Sequence, residues 1–124
     1  IAHYLARYGW RDDMTWGRRV LLPDGMAATS GDLAQDSPPQ GCSRALRDHS
    51  RALRLADWQA RGVRRMTGTA LPDRDFEASL YQPEGTAGPA YLTYSNYRAI
   101  LRYNCSNLYA MAVGHLADAL REAE

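Results

Sequence analysis

Lysine is absent from this sequence, so all 15 of its basic Lys or Arg positions are arginines. They are nearly balanced by 14 Asp and Glu residues, which leaves a net charge of +1. Because a nucleic-acid-binding domain normally carries a basic excess, this balance argues against nucleic acid as a partner. We attribute the missing lysines to codon bias. Apolar runs of about 18 residues, which a membrane-spanning helix needs, are also absent, so the sequence predicts no membrane span.

Cysteine and histidine are scarce. The chain has two cysteines, Cys42 and Cys105, and three histidines, His3, His49 and His115. They are widely separated and lack the CxxC spacing typical of zinc sites. Glycine-rich phosphate loops and the HExxH, GxSxG and EF-hand patterns are missing as well. We therefore predict no metal and no cofactor. One disulfide is an alternative in an oxidising compartment, but we predict two free thiols.

The first residues have the pattern of an amphipathic helix. Ile1, Tyr4, Leu5 and Tyr8 recur at i, i+3, i+4 and i+7, and Gly9 stands where a glycine commonly ends a helix. The pattern begins at the first residue without an N-cap. We interpret this as a helix that starts further upstream, in a longer protein.

The middle of the chain has shorter elements, which are bounded by glycine- and proline-containing turns. Residues 18–22 predict a strand closed by a Pro-Asp-Gly turn, and residues 55–61 predict a short helix ended by Gly62. Residues 76–85 and 88–94 read as two strands of a hairpin around a Pro- and Gly-rich connection. We therefore predict an α+β fold.

Residues 95–124 predict two consecutive helices. Ser95 is a candidate N-cap of the first, Asn104 a candidate left-handed residue at its end, and Ser106 a candidate N-cap of the second. The apolar positions of the second helix recur at helical spacing: Leu108, Met111, Ala112, Leu116 and Leu120. The partner of this face is not evident in the chain, which makes self-association through it an option. Small residues would let a second helix approach closely: Ala110, Ala112, Gly114 and Ala117.

The segment between these two helices is the best candidate site. Asn104, Ser106 and Asn107 supply short polar groups, and Tyr103 and Tyr109 stand on either side of them. Tyrosine suits sugar recognition, because its ring packs on apolar CH faces while its hydroxyl meets polar groups. The alternative is that the polar residues only cap helices while both tyrosines pack in the core.

Other charged groups predict less. Arg98 and Arg102 alternate with tyrosines, as in some RNA-binding surfaces, but they are four apart on one helix face and we expect that face to be solvated. The carboxylates of Asp12, Asp13 and Glu77 lie in turn-like or strand-edge stretches. They form no evident acid–base pair.

Three stretches taken together resemble a known family. They are "IAHYLARYGWR", "LADWQARGVRR" and "ASLYQPEGTAGPAYLTYSNYRAILRYNCSNLYAMAVGHLADAL". In order and spacing they resemble the C-terminal half of lytic murein transglycosylases of the B type. The resemblance covers nearly the whole chain and is weakest over residues 24–50.

The resemblance implies a fold and an activity. Residues 1–16 and 95–124 would belong to a lysozyme-like helical lobe, and residues 17–94 would form a small mixed unit inserted into it. Such enzymes act in the periplasm of Gram-negative bacteria on the glycan strands of peptidoglycan. They cleave the β-1,4 bond after N-acetylmuramic acid and leave a 1,6-anhydro ring. One glutamate acts first as acid and then as base, unlike the carboxylate pair of ordinary glycosidases.

The family's glutamate motif, E-[ST]-x-[FW]-G, does not occur in this sequence. The resemblance therefore implies no catalytic residue in this chain and an acid further upstream. It implies a cleft wall that binds sugar through Tyr4, Tyr103, Asn104 and Tyr109, with Tyr109 also supporting the acid. A stand-alone, non-catalytic glycan-binding or interaction module is the alternative.

Overall fold

The computed structural model describes residues 6–35 and 42–123. Five short strands form one antiparallel sheet: β1 (Gly17–Leu21), β2 (Leu53–Arg54), β3 (Arg64–Arg65), β4 (Glu77–Tyr81) and β5 (Ala90–Thr93). The helices are α1 (Ser43–Leu46), α2 (Leu55–Ala60), α3 (Ser95–Tyr103) and α4 (Asn107–Ala123), with 3₁₀ turns at Ala6–Tyr8 and Gly31–Leu33. The α+β prediction is confirmed, and the predicted start of the first helix lies outside the described residues.

The hairpin β4–β5 forms the middle of the sheet, whose strand order is β2-β4-β5-β1-β3. Leu80 is paired with Leu92 and Ser79 with Thr93, so the leucines face one side of the sheet, and Ser79 and Thr93 face the other together with the Tyr81–Tyr91 pair. β1 adds to β5 with Gly17 opposite Thr93. A side chain at Gly17 would collide with the carbonyl oxygen of Leu92, so the close approach of these strands requires glycine.

Each face of the sheet is covered by its own apolar cluster. One contains the leucines of the hairpin together with Trp58 of α2 and Tyr94, both almost fully buried. The other packs Trp16 and Tyr91 against α3 and α4 through Tyr97, Ile100, Leu101 and Ala110. The helices that carry the candidate site are therefore fixed to the sheet by the second cluster.

Most of the central elements were predicted correctly from the glycine and proline residues that bound them. The strand at 18–22, the turn at Gly25, the helix ended by Gly62 and the hairpin all occur, each within a residue or a few of its predicted bounds. Both glycines have positive φ, +84° and +101° respectively, which explains why the chain turns there.

Two predicted helix caps are wrong. The N-cap of α3 is Tyr94, and the hydroxyl of Ser95 instead donates to Sδ of Met14 at 3.0 Å. Asn104 ends α3 in an extended conformation, with φ −149° and ψ 112°, and not in the left-handed region. Ser106 does cap α4, because its Oγ accepts the backbone N–H of Tyr109 at 3.2 Å.

The apolar face predicted for the last helix is largely uncovered. Leu108, Leu116 and Leu120 are 85%, 60% and 60% exposed. Gly114 does not meet a second helix, because an added Cβ would lie 2.6 Å from the indole of Trp16. The small residue there accommodates a tryptophan from the segment before β1.

No helix within residues 6–35 and 42–123 combines the length and the apolar character needed to cross a membrane.

Candidate functional site

Three tyrosines form a row at the junction of α3 and α4. The rings of Tyr103 and Tyr109 are nearly parallel, with centroids 6.3 Å apart, and Tyr8 meets Tyr103 edge to face at 6.1 Å. Tyr8 and Tyr103 are 38% and 45% exposed, whereas Tyr109 is half-buried against the helix cluster. We call Tyr8, Tyr103 and Tyr109 the tyrosine row. The alternative that the tyrosines are core residues is wrong for Tyr103.

Tyr8 reaches this row because the chain turns sharply after it. Gly9 has φ +99°, a conformation that side chains disfavour, and a Cβ there would lie 3.0 Å from a guanidinium nitrogen of Arg102. That guanidinium donates to the carbonyl oxygen of Tyr8. The last turn of α3 therefore holds the Tyr8 backbone beside Tyr103.

Asn104 offers a free polar group next to the row. Its backbone is committed, because its N–H donates to Ile100 at 3.0 Å and its carbonyl accepts the Ser106 N–H at 2.7 Å. Its side chain is exposed, and among the described residues it has no hydrogen-bond partner. An aromatic row with an adjacent free amide can stack a sugar ring and bond its hydroxyl or acetamido groups.

A disulfide joins this segment to the rest of the chain. Cys42, just before α1, is bonded to Cys105, and their Cα atoms are 5.2 Å apart. The prediction of two free thiols is therefore wrong. Sequence alone could not identify the pair, because bridging depends on the distance between two residues separated by 63 positions. The bond ties the backbone between Asn104 and Ser106 to the segment before α1.

A buried polar network lies beneath the start of α4. Oδ1 of Asn107 accepts the hydroxyl of Tyr97 at 2.7 Å and lies 3.0 Å from Nε2 of His49. The Asn107 amide nitrogen donates to the carbonyl of Ala45 at 2.8 Å. Nδ1 of His49 lies 3.2 Å from Oγ1 of Thr93. One side chain in the first turn of α4 thus joins α1, α3 and the segment before β2.

These contacts define the protonation state of the network. Asn107 Oδ1 can only accept, so Nε2 of the neutral His49 ring carries the proton. Nδ1 is then an acceptor, and it competes for the one hydroxyl proton of Thr93 with the carbonyl oxygen of Ser79, which lies 3.1 Å from that hydroxyl. Burial lowers the pKa of His49 to about 4, against the raising effect of the Asn107 hydrogen bond and with a smaller contribution from nearby Arg98. Burial also raises the pKa of Tyr97 well above its usual range. Both groups are neutral at pH 7.

The His49 ring is also packed against two aromatic rings. It stacks on Tyr81 with centroids 4.2 Å apart and an interplanar angle of 8°. Tyr97 lies beside both rings, 5.1 Å from His49 and 6.2 Å from Tyr81. Only 2% of His49 is exposed, so this histidine supports the fold around the site and does not face solvent.

Three of the four predicted site residues come together in the structure. Tyr103, Asn104 and Tyr109 surround the end of α3, whereas Tyr4 lies outside the described residues. In the described part of the chain, no carboxylate is hydrogen-bonded to a hydroxyl of the row, and no three His, Cys, Asp or Glu side chains are grouped to hold a metal ion. The site as described can bind, but it contains no positioned acid.

Comparison with known proteins assigns the family. The sequence matches the transglycosylase SLT domain family over residues 1–118. The chain belongs to this family. It also resembles two crystal structures of SltB3 from Pseudomonas aeruginosa, in complexes with NAG-anhNAM-pentapeptide and with NAG-NAM-pentapeptide. Each shares 37% identity and a TM-score of 0.76 over 97% of this chain.

This chain spans 28% of the length of the SltB3 chain. A search of curated proteins finds no matching relative.

Two parts of the candidate site are not predicted by the sequence. Tyr8 has the spacing of an apolar helix face, although the glycine after it signals that the chain turns there. The sequence around His49 contains no sign of its partners, Asn107 and Thr93, which are distant along the chain.

Proposed function

We propose that this chain forms one wall of the glycan-binding cleft of a lytic murein transglycosylase of the B type, and corresponds to its C-terminal half. The exposed tyrosine row with the free amide of Asn104 is the observation that carries the proposal. Family membership supports it, as does the likeness to SltB3, which was crystallised with a peptidoglycan fragment. The ligand would be a peptidoglycan glycan strand with its peptide substituents.

The proposed reaction is cleavage of the bond between N-acetylmuramic acid and N-acetylglucosamine, with formation of a 1,6-anhydro product. The glutamate that protonates the leaving oxygen and then deprotonates the C6 hydroxyl would come from a part of the protein outside this sequence. Tyr109 would face that acid with its hydroxyl. Tyr103 would stack on a sugar ring, and Asn104 would bond the sugar's polar groups. We expect Tyr4 to extend the same wall.

We also propose the division of the chain that the resemblance implies. Residues 1–16 and 95–124 would belong to the helical catalytic lobe, and residues 17–94 would form the inserted unit. The sheet and its first apolar cluster fall almost entirely within 17–94, which supports this division. Action on peptidoglycan would place the protein in the cell envelope, and in the periplasm if the source is a Gram-negative bacterium.

Glycan binding by the chain tests the cleft wall. We expect oligomers of N-acetylglucosamine to bind the chain, and Tyr103→Ala to weaken that binding by tenfold or more, about 1.4 kcal/mol. Tyr103→Phe keeps the ring and should keep most of the affinity. Met66→Ala is the matched control, since Met66 and Tyr103 are both 45% exposed and Met66 lines a different pocket, to which no tyrosine of the row contributes. Equal affinity of the Tyr103→Ala variant and the unsubstituted chain would refute the proposal that the tyrosine row binds glycan.

A non-catalytic glycan-binding module is the second candidate. It is favoured by the finding that no carboxylate in the described residues is hydrogen-bonded to the tyrosine row. The reading frame upstream of residue 1 distinguishes the cases: continuation into the glutamate motif supports the transglycosylase, and a start codon directly upstream supports the module. In both cases we expect the purified chain to bind murein sacculi without release of 1,6-anhydromuropeptides, because the glutamate motif does not occur in this sequence. Release of these products by the unsubstituted chain, with no release by the Tyr109→Phe variant, would show that the chain supplies its own acid.

A further inference from the structure

A second pocket lies at the opposite end of α3 from the tyrosine row. It has a volume of about 330 Å³ and opens between the segment before β1, the start of β4 and the first turn of α3. Arg98 and Ser95 line it from α3, Glu77 from β4, and Arg11 from the segment before β1. This volume suits a small ligand or one or two amino-acid residues.

Arg98 is the unusual member of this pocket. Its side chain is half-buried, and its one hydrogen bond within the described residues is donated to Oγ of Ser79. No carboxylate in residues 6–35 and 42–123 lies within ion-pairing distance of it. The expectation that Arg98 belongs to a solvated face is therefore wrong. A guanidinium has five N–H donors, and the nitrogens of Arg98 without a protein partner are open to solvent, since no described side-chain nitrogen is buried without a partner.

The positive charge of Arg98 is destabilised both by burial and by a neighbouring cation. Burial lowers the pKa of its guanidinium, nearby Arg102 lowers it further, and Glu77 opposes them. Placing a charge in a partly buried site is costly unless it is paired. An anion bound in the pocket would provide that pairing, and a carboxylate matches the planar fork of arginine.

The other charges around the pocket are already paired, with one exception. Arg11 is bonded to Asp13 through two contacts of 3.0 and 2.6 Å, and Asp75 lies 3.7 Å from Arg54. Glu77 is exposed and forms no ion pair among the described residues. The pocket thus contains one cation, Arg98, and one anion, Glu77, that form no close ion pair among the described residues, although Glu77 acts on Arg98 at longer range.

The cation is on α3 and the anion on the neighbouring strand, so their charges are complementary to a ligand that carries both signs. We propose that this pocket binds a zwitterionic amino-acid or dipeptide group, with its carboxylate on Arg98 and its ammonium facing Glu77. Phe76 also lines the pocket, and the guanidinium groups of Arg74 and Arg11 lie 4.5 and 5.9 Å from its ring centroid. Ser95 provides a hydroxyl for a further hydrogen bond, now given to the weak acceptor sulfur of Met14.

This proposal goes beyond the proposed function and does not rest on it. A peptide joined to a sugar through its amino end has no free ammonium at that end, so the ligand that suits both Arg98 and Glu77 is an unattached amino acid or dipeptide.

Three dipeptide probes test the pocket by calorimetry or NMR titration of the chain. They are alanylalanine with free ends, its N-acetyl derivative and its C-terminal amide. We expect the free dipeptide to bind best and the amide to bind at least tenfold more weakly. Glu77→Gln should abolish the preference for the free over the acetylated form. Equal binding of the amide, or no saturable binding of the free dipeptide at about 10 mM, would overturn the proposal.

Substitution of the arginine gives an independent result. Arg98→Met should reduce dipeptide binding at least tenfold, and Arg98→Lys should fall between, since it keeps the charge but loses the fork. Arg47→Met is the control, because Arg47 is exposed and has no ion pair in the described chain. If Arg98→Met does not fold, the Lys variant and the amide probe still decide.

The glycan site and the dipeptide pocket can fail separately. We expect Tyr103→Ala to leave dipeptide binding unchanged while it weakens binding of N-acetylglucosamine oligomers. Loss of both ligands in that variant would mean that the pocket is not independent of the tyrosine row, and would overturn its assignment as a separate subsite.

Discussion

Nε2 of the buried His49 lies 3.0 Å from Oδ1 of Asn107, the first residue of α4. This contact couples the helix that carries Tyr109 to a titratable group in the interior. A protonated imidazole would keep this contact, because its Nε2 still donates, but it would place a charge in the interior, and burial holds the pKa of His49 at about 4. The stability of the site should therefore depend on pH.

We expect the free energy of unfolding to decrease between pH 6.5 and pH 4. In this window the unfolded chain binds a proton at His49, whose ordinary pKa is 6.5, while the folded chain does not until about pH 4. Stability from this group is complete above pH 6.5 and is lost as pH falls through the window, by about 3 kcal/mol in total. Urea unfolding at several pH values measures it. His49→Gln should give a flatter profile, and an unchanged slope in that variant would exclude His49 as the cause.

The disulfide should contribute strongly to stability. Cys42 and Cys105 close a loop of 63 positions, for which the chain-entropy estimate is about 4 kcal/mol. We expect the double variant Cys42→Ala, Cys105→Ala to lose most of that amount in chemical unfolding. A reducing agent should destabilise the unsubstituted chain to the same level and leave the double variant unchanged. If reduction affects both equally, the bond is not the source of the difference.

Gly114 should tolerate no side chain. A Cβ at this position would lie 2.6 Å from the indole ring of Trp16, which is itself held by a 3.0 Å hydrogen bond from Nε1 to Oδ2 of Asp118. The ring cannot move without losing that bond, so Gly114→Ala should destabilise the chain by about 1–3 kcal/mol despite alanine's better helix propensity. Ala119→Ser, on the exposed side of α4, is the control. A Gly114→Ala variant with unchanged or higher melting temperature would contradict this packing.

The parts of the fold that the sequence predicted are those with local causes. The hairpin follows from two β-forming runs around a Pro- and Gly-rich connection, and the end of α2 follows from Gly62, whose φ is +101°. Ser106 caps α4 because its hydroxyl lies within reach of its own helix. Each of these depends on residues only a few positions apart.

The parts that were missed depend on residues distant along the chain. Ser95 was a reasonable N-cap by type, but its hydroxyl is taken by Met14. Asn104 is extended because the chain must pass directly from α3 into α4, with Cys105 bonded to Cys42. Local patterns carry no information on these distant partners. The grouping of Tyr103 with Tyr109 was predictable because the two residues are close along the chain. The contact of Tyr8 with Tyr103 was not, because it depends on tertiary packing.

The leucines of the last helix should contribute little to the stability of this chain. Leu116 is 60% exposed although it lies on the predicted apolar face, whereas Leu101 on α3 is 1% exposed and packs in the helix cluster. We expect Leu116→Ala to change the free energy of unfolding by no more than about 0.5 kcal/mol. The same substitution at Leu101 should cost about 2–5 kcal/mol, because it removes buried methyl groups and leaves a cavity. Urea unfolding of the two variants makes the comparison. Equal losses at both positions would mean that a surface covers Leu116 in solution, and sedimentation of the unsubstituted chain would then show whether that surface is a second copy.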